Sequence, residues 1–559
     1  MAAAAKEAFP GCALYTPHLA CSRLVNVVPP EAIAANLLDA VDVLVREGNA
    51  SSIVIVGHSM GSLIARKLAI LAHGETDSAP FEAGLERHRE AKPWAGRVER
   101  LILLAGMSRG WSPTAAHAWL IATGLAIVSL IGDTLFNGRW TFLSVRRGAP
   151  FVVQSRLQWL ALVQQRREKP IVVVQLLGSV DNTVSPDDTV DFAVDLGTES
   201  FVLIDLPATD HKQALELDGP GPAAERRRRF IAALTRSVTS LRDTGDAVPP
   251  TFAANGPPPA ADPKVTDVVF VIHGIRDRGF WTQKIARKVM EEARSPRVVR
   301  AMTLSYGYLA MLPFILPWVR RDKVRWLMDR YADCRALYPN ADFFYVGHSN
   351  GTYLVARALR DYPAARFKRI VLAGSVVRTD YDWQSLVTGS RRQAEQILNY
   401  VASGDWVVAI FPHGLSPFRP FDLGGAGHRG FTQLASTIAG AEVPRISSVP
   451  LGDSVSHQVY YVGGGHGAGV KESQWDDIAR FVADGAPPVA VDPDYVPRQS
   501  RWVVAAGSWP PVAFAMLTLL LLGTIAAACF LMGAQFGIGA ALLTAFVCAV
   551  LLYVVLTKF

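Results

Sequence analysis

The stretch Phe343-Phe344-Tyr345-Val346-Gly347-His348-Ser349-Asn350-Gly351, continued by TYLVARALR to Arg360, decides the fold. Four apolar residues of strand character run into a Gly-x-Ser-x-Gly turn, and the turn runs into a helical segment. The same order occurs earlier: Ser52-Ile53-Val54-Ile55-Val56, then Gly57-His58-Ser59-Met60-Gly61, then SLIARKLAIL. A serine at so sharp a strand-to-helix crossing is held exposed on a strained turn. The flanking glycines leave room for the crossing, and the helix N-terminus favours negative charge developing nearby. One such pentapeptide arises by chance; two, each with Gly-His-Ser and each between a strand and a helix, point to a repeated α/β unit.

A nucleophilic serine needs a base within hydrogen-bond reach, and the base needs a carboxylate to hold its tautomer. Around Ser349, the strand Ile370 to Ala373 is followed by Gln396 to Val401, which ends in Ser403-Gly404-Asp405. A further strand, Gln458 to Val462, ends in Gly463-Gly464-Gly465-His466. Asp405 and His466 are the expected acid and base. Asp453 and His457 are the alternatives, but they precede the last strand, and His413 reads as a loop residue. Around Ser59, the strand Ile171 to Leu177 ends in Gly178-Ser179-Val180-Asp181, and Phe201 to Asp205 is followed by His211. Asp181 and His211 take the same roles, with Asp187, Asp188 and Asp210 read as helix-capping or surface carboxylates. Arg226 to Arg229 read as a solvated or membrane-facing basic patch.

These elbows, the strand-end Gly-Ser-Val-Asp and Ser-Gly-Asp acids and the final strand-then-His resemble the α/β-hydrolase superfamily. In the second unit the likeness extends to Val268 to Gly274 (VVFVIHG), where a strand ends in His273-Gly274. The resemblance implies an oxyanion hole from the backbone N–H groups of Asn350 and Ile275, and from Met60 in the first unit. Only 58 residues precede Ser59, and they contain no His-Gly. Ala13 to Pro17 is the one candidate strand there, so the first strands and the second oxyanion donor are expected to be missing. Losing one such donor costs on the order of 10²–10³ in rate. The first unit is thus expected to be weak or inactive; a start assigned too far downstream would look the same. The interval from Ser59 to Asp181 is more than twice that from Ser349 to Asp405, and the surplus, residues 112–169, reads as a cap. Within it Trp119 to Ile131 reads as a lid or interfacial helix.

The expected fold class is therefore α/β: two mostly parallel sheets flanked by helices, plus a C-terminal transmembrane helical hairpin. The expected boundaries are 1–243 for the first unit, 244–263 for a Pro/Ala-rich linker, 264–484 for the second unit, 485–509 for a second linker and 510–557 for two spans. Val512 to Met532 is uncharged and long enough to cross a hydrocarbon core, and a second run reaches Leu556. Arg498, Arg501 and Lys558 flank the pair on one side, which places both ends and the catalytic body in the cytoplasm. Tyr308 to Val319 (YLAMLPFILPWV) is too short for a span and reads as a loop or membrane-dipping element.

Bulk properties agree with this layout. Of the 559 residues half are hydrophobic and only 19% charged, and mean hydropathy is +0.21 despite 56 Lys and Arg. A net charge of +7 fits an anionic membrane surface but, without a basic aromatic groove, does not point to nucleic acid. The five cysteines, Cys12, Cys21, Cys334, Cys529 and Cys548, form no CxxC or Cys/His cluster, so no metal and no cofactor is expected. The N-terminus lacks a signal-peptide core, in keeping with a reducing compartment. The leading expectation is hydrolysis of a small-molecule or lipid ester, esterase- or lipase-like, with Ser349 favoured over Ser59. A thioesterase or peptidase shares the chemistry. The alternative is a membrane-associated scaffold or binding protein in which one or both units are inactive.

Overall fold

The computed structural model describes residues 1–19, 28–48, 50–112, 141–191, 200–248, 261–275, 279–436, 444–489 and 494–557. The lid expected at Trp119 to Ile131 lies outside them. The chain divides into two compact units. The first comprises Met1–Pro263 together with Arg325–Pro339 and Asp361–Ala364; the second comprises Lys264–Val324, Asn340–Arg360 and Ala365–Phe559.

The first unit carries a four-stranded sheet in the order β1 (Ile53–His58), β2 (Val98–Leu104), β3 (Val172–Gly178), β4 (Phe201–Leu206). Every neighbouring pair is parallel. Parallel strands covered on both faces read as continuous Val/Ile/Leu runs rather than alternating ones. The VVVQLLG of β3 follows that rule, with residues on its two faces joining two separate apolar clusters. No strand forms at Ala13 to Pro17, where the backbone is irregular, so the expected strand there is not found.

The second unit carries a seven-stranded sheet in the order β10-β11-β9-β8-β7-β5-β6. Its members are β5 (Asp267–Ile272), β6 (Val299–Met302), β7 (Asp342–His348), β8 (Phe367–Ala373), β9 (Ala394–Ala402), β10 (Ile446–Leu451) and β11 (Ser454–Val462). Only the β10/β11 edge hairpin is antiparallel. The last strand begins earlier than the sequence suggested, so His457 lies inside β11, where it bonds the Ser448 hydroxyl. Asp453 sits in the exposed hairpin turn, paired with Arg392. Neither reaches the end of the strand where His466 lies.

The two sheets differ on one side of the serine-bearing strand. In the second unit β7 lies between β8 and β5, and its residues are buried from Phe343 onward. In the first, β1 pairs only with β2 among the described residues, and Val56 is 39% exposed where the corresponding Val346 is fully buried. The glycines after the two serines feel the difference. A Cβ on Gly351 would come within 2.6 Å of the Ile272 carbonyl oxygen of β5, whereas one on Gly61 would meet nothing within 4 Å.

Several stretches depart from the sequence reading. Tyr308 to Val319 is partly helical, with a helix at Met311–Ile315 and the start of another at Pro317–Leu337. His413 lies in the last turn of helix Trp406–Gly414, not in a loop. The arginine run is not a free basic patch. Arg226 is buried and bonds the Glu216 carbonyl; Arg227 pairs with Glu7 and Asp218, Arg228 with Glu225 and Asp246, and Arg229 with Glu225. Helix Pro510–Phe536 (27 residues, mean hydropathy 2.4 over its most apolar window) is long and apolar enough to cross a membrane. The helix after it, Ile538–Thr557, has a shorter apolar stretch, Ile538–Val554, so one helix rather than two meets that criterion among the described residues.

Gly351→Ala is expected to destabilise the second unit by about 1–3 kcal/mol through backbone overpacking. Gly61→Ala is expected to cost less than about 0.5 kcal/mol, since it removes a helical glycine at an open position. Thermal unfolding of the two variants beside the wild type checks the difference.

Candidate active sites

Both serines sit in the left-handed half of backbone space, Ser59 at φ 52° and Ser349 at φ 54°. Side chains other than glycine rarely occupy that region, and holding one there costs roughly 1–3 kcal/mol. Paired contacts over-determine the turn. The Ser59 N–H donates to the Leu104 carbonyl at the end of β2, and the Ser349 N–H to the Ala373 carbonyl at the end of β8, each at 3.0 Å. One turn on, the Ser62 and Thr352 hydroxyls each donate to the nucleophile's own carbonyl at 2.6 Å. The same hydroxyls accept from the Met107 and Val376 N–H groups in the loops after β2 and β8. Gly57 is obligatory, because a Cβ there would fall 2.6 Å from the Gly61 carbonyl oxygen.

In the first unit the expected triad residues meet. His211 Nε2 lies 2.9 Å from Ser59 Oγ, and His211 Nδ1 lies 2.9 Å from Asp181 Oδ2. The carboxylate can only accept, so Nδ1 carries the hydrogen and Nε2 is free to accept from the serine hydroxyl. Burial pushes the Asp181 carboxyl up, but the hydrogen bonds from His211, Thr183 and Val184 outweigh it and hold the group below the usual carboxylate range. Of the competing carboxylates, Asp188 is fully buried and accepts from Ser112, and Asp210 accepts from the Lys212 and Gln213 N–H groups as a local cap. Asp187 is exposed.

In the second unit His466 Nδ1 lies 3.0 Å from Asp405 Oδ2. The other Asp405 oxygen accepts from the Val408 N–H, so the acid also caps helix Trp406–Gly414. Ser349 Oγ has no hydrogen bond to His466 among the described residues. A hydroxyl that closes on its base only when substrate arrives is common in unliganded sites. What the second unit has and the first lacks among the described residues is a wall on the other side of the serine. A Cβ on Gly274 would lie 2.6 Å from Ser349 Cβ and 3.2 Å from its Oγ, so the Gly274-Ile275 backbone runs against the nucleophile. Asn350 and Met60 each open the helix after their serine, where a first-turn N–H has no partner within the helix.

Three residues were missed as functional in the sequence. His58 Nε2 lies 3.0 Å from the His211 carbonyl and His348 Nε2 lies 3.2 Å from the His466 carbonyl. Their rings are tilted onto the imidazoles of His211 and His466 at centroid distances of 5.0 and 4.8 Å. A carbonyl only accepts, so both Nε2 atoms donate, and each histidine braces the loop that carries the base. Burial keeps the His58 pKa below the ordinary imidazole value. The shared Gly-His-Ser of the two elbows was the available signal. The third is Tyr306, which stacks on His273 at 4.6 Å, donates to the His273 carbonyl and accepts from the Asn350 side-chain amide. It ties the Gly274 loop to the residue after the nucleophile. Among the described residues no His/Cys/Asp/Glu group is arranged to hold a metal ion.

Burial lowers the pKa of His428, which faces Asp405, and of His413, which faces Arg429 and His428, to about 4. A base whose folded pKa is depressed binds fewer protons than the unfolded chain between its two values. Stability is then full above about pH 6.5 and falls as pH drops toward 4.

Among solved structures the chain is similar to a monoacylglycerol lipase from Paleococcus ferrophilus, at 10% identity and a TM-score of 0.23, over 36% of this chain and 75% of that one. It is also similar to a carboxylesterase structure from Nitrososphaera gargenis, at 15% identity and a TM-score of 0.19, over 37% and 73%. No family model matches the sequence, and no curated protein matches it. Likeness at that level carries no weight for the chemistry, which rests on the residues.

Two outcomes are expected. His58→Ala in a Ser349→Ala background should slow fluorophosphonate labelling of Ser59 about tenfold, as one positioning bond is worth about 1.4 kcal/mol, with partial rescue by His58→Gln. Acidification from pH 7.5 to 5 should lower the unfolding midpoint, and His428→Asn should narrow that gap by on the order of 1 kcal/mol.

Proposed function

We propose that this chain is a membrane-anchored serine hydrolase of the α/β-hydrolase kind that cleaves an ester-type acyl bond, with lipid-like esters as substrates. The observation that carries the reading is the contact of Ser59, His211 and Asp181 at hydrogen-bond distance on a strained elbow, with the His–Asp half of it repeated at His466 and Asp405 behind a second strained elbow.

The chemistry follows from the groups present. His466 takes the hydroxyl proton as Ser349 Oγ attacks the ester carbonyl, and Asp405 holds the ring and stabilises the imidazolium. The N–H groups of Asn350 and Ile275 receive the negative charge on the carbonyl oxygen. When the intermediate collapses, the C–O bond to the alcohol breaks and His466 returns the proton to the leaving oxygen. Water, deprotonated by the same histidine, then releases the acid and restores Ser349. Ser59, His211 and Asp181 repeat these roles with Met60 as the oxyanion donor.

Ser349 is the principal nucleophile in this reading, because Gly274 and Ile275 supply its second oxyanion donor. The open edge of β1 and the empty space around Gly61 favour a second role for the first unit, as a binding module with residual or no turnover. In this reading helix Pro510–Phe536 crosses the membrane and the shorter apolar helix Ile538–Thr557 returns beside it, with Arg498, Arg501 and Lys558 keeping the catalytic body on the cytoplasmic side.

A fluorophosphonate probe is expected to label both serines. Ser349→Ala should remove most turnover of a short p-nitrophenyl ester, and Ser59→Ala should remove a minor share, on the order of 10²–10³ smaller. Wild-type labelling that persists at full strength in the double Ser→Ala variant would overturn the assignment.

A further inference from the structure

The proline-rich stretch before the apolar helix, expected as a linker, is fastened to the loops that carry the acid and base of the second unit. The Gly463 N–H donates to the Asp494 carbonyl at 2.7 Å, and the Val496 N–H donates to the Tyr461 carbonyl at 3.0 Å. Tyr495 bridges Val462 at the end of β11, and its buried side chain donates to Gln474. The Ser500 N–H donates to the Ser403 carbonyl, two residues before Asp405, at 3.0 Å. The Gln499 amide reaches the His428 carbonyl at 2.6 Å, and Arg429 reaches the Gly507 carbonyl at 2.7 Å. Helix Arg501–Ser508 is seated so closely that a Cβ on Gly507 would lie 2.5 Å from His428 Nε2.

This splint delivers the apolar helix directly to the site. Pro510, its first residue, packs 3.5 Å from where a Cβ on Gly414 would stand, and Gly414 ends the helix that Asp405 caps. The elements on both flanks of the site are touched in this way. Helix Trp406–Gly414 packs against helices Arg501–Ser508 and Pro510–Phe536. Helix Met311–Ile315, which follows the segment holding Tyr306 behind the Gly274 loop, packs against helix Ile538–Thr557. Their sequences, WVVAIFPHG and MLPFI, carry no acidic or basic side chain except His413, whose lowered pKa keeps it neutral. Trp406, Trp502 and Trp509 are exposed around the foot of the apolar helices, at 42%, 57% and 72%. Amphipathic rings exposed beside an apolar span are at home at the level of lipid headgroups.

We propose that the Ser349 site opens onto the bilayer, so that an acyl lipid resident in the membrane enters laterally between helices Met311–Ile315 and Trp406–Gly414. The inference rests on the hydrolase reading and adds the substrate class and its route. What meets the sides of these helices that the C-terminal helices leave exposed, Trp406 among them, is lipid in this proposal, because those sides adjoin the apolar helices. The rigid splint keeps the site at a fixed height on the membrane, where a flexible tether would let it swing into solution.

The test uses the full chain carrying Ser59→Ala, reconstituted in phosphatidylcholine vesicles, so that only Ser349 reports. A long-chain fluorogenic diacylglycerol is placed either in the same bilayer as the protein or in a separate vesicle population, and a short water-soluble p-nitrophenyl ester reports on the triad. Lateral entry predicts an initial rate on the long-chain ester at least tenfold higher in the shared bilayer than across populations. It also predicts that Met311→Asp lowers the ratio of shared-bilayer to soluble-ester turnover at least tenfold. Equal rates in the two arrangements, with the soluble ester still hydrolysed, would overturn lateral entry and leave the hydrolase reading standing. Failure of the protein to float with the vesicles would overturn it as well. No turnover of either ester together with no fluorophosphonate labelling of Ser349 would sink the hydrolase reading, and the entry route with it.

Discussion

Everything at both sites depends on one strained residue, a serine held at positive φ between the end of a strand and the start of a helix. An L-residue does not stay there unaided, so the surroundings must fix it. In each unit the serine N–H is bound by the end of the next strand, and its carbonyl is bound by a hydroxyl one turn into the helix. The second strand end matters doubly, because the loops after β2 and β8 also bond that hydroxyl. The elbow thus requires at least two parallel strands and one helix to exist at all. The acid and base loops come from the following strands, at the same sheet end, because parallel strands present all their C-terminal ends together.

The two elbows, and the places of Asp181, His211, Asp405 and His466 just past strand ends, were legible in the sequence for that reason. Each lies within a few residues of a strand end, and a buried parallel strand announces itself as a short apolar run. Ser59, Asp181 and His211 meet at hydrogen-bond distance, as do Asp405 and His466. What was not legible depends on partners far away in sequence. Arg226 to Arg229 looked like a basic patch because Glu7, Asp218 and Asp246 cannot be paired with them from spacing alone. His413 looked like a loop residue because Pro412 precedes it, yet the helix from Trp406 carries through. The stretch Asp494 to Ser500, with Pro497 in it, lay within the expected Pro-rich linker. Extended chain, however, tolerates proline wherever its own N–H is not called on, and there the bonds run through Val496, Ser500 and the Asp494 carbonyl.

The two units divide the requirements of catalysis differently. The first has its hydroxyl, imidazole and carboxylate closed on one another, but β1 ends the sheet and Gly61 faces open space. The second has the additional strands β5 and β6, and it is β5 that delivers Gly274 to the serine and presses Ile272 against Gly351. The glycine after the serine is therefore a steric necessity in one unit and unconstrained in the other. A closed triad without a wall opposite it positions a nucleophile but stabilises little of the charge that forms on attack. In the proposed reading Ser349 carries the larger share for that reason, even though its own hydroxyl is the less engaged of the two.

The position of the apolar C-terminal helix sharpens the same distinction. The chain leading into it is fastened to the second unit by backbone bonds to Ser403, Tyr461 and Gly463, within two to five positions of Asp405 and His466, so in the proposed reading membrane and catalytic loops share one rigid piece of chain. A site joined that closely to a bilayer meets molecules dissolved in the membrane at far higher local concentration than molecules dissolved in water, for the same reason that tethering raises effective concentration. In the proposed reading, the Gly274-Ile275 backbone against Ser349 and the apolar helices packed beside Asp405 together suit an uncharged acyl group.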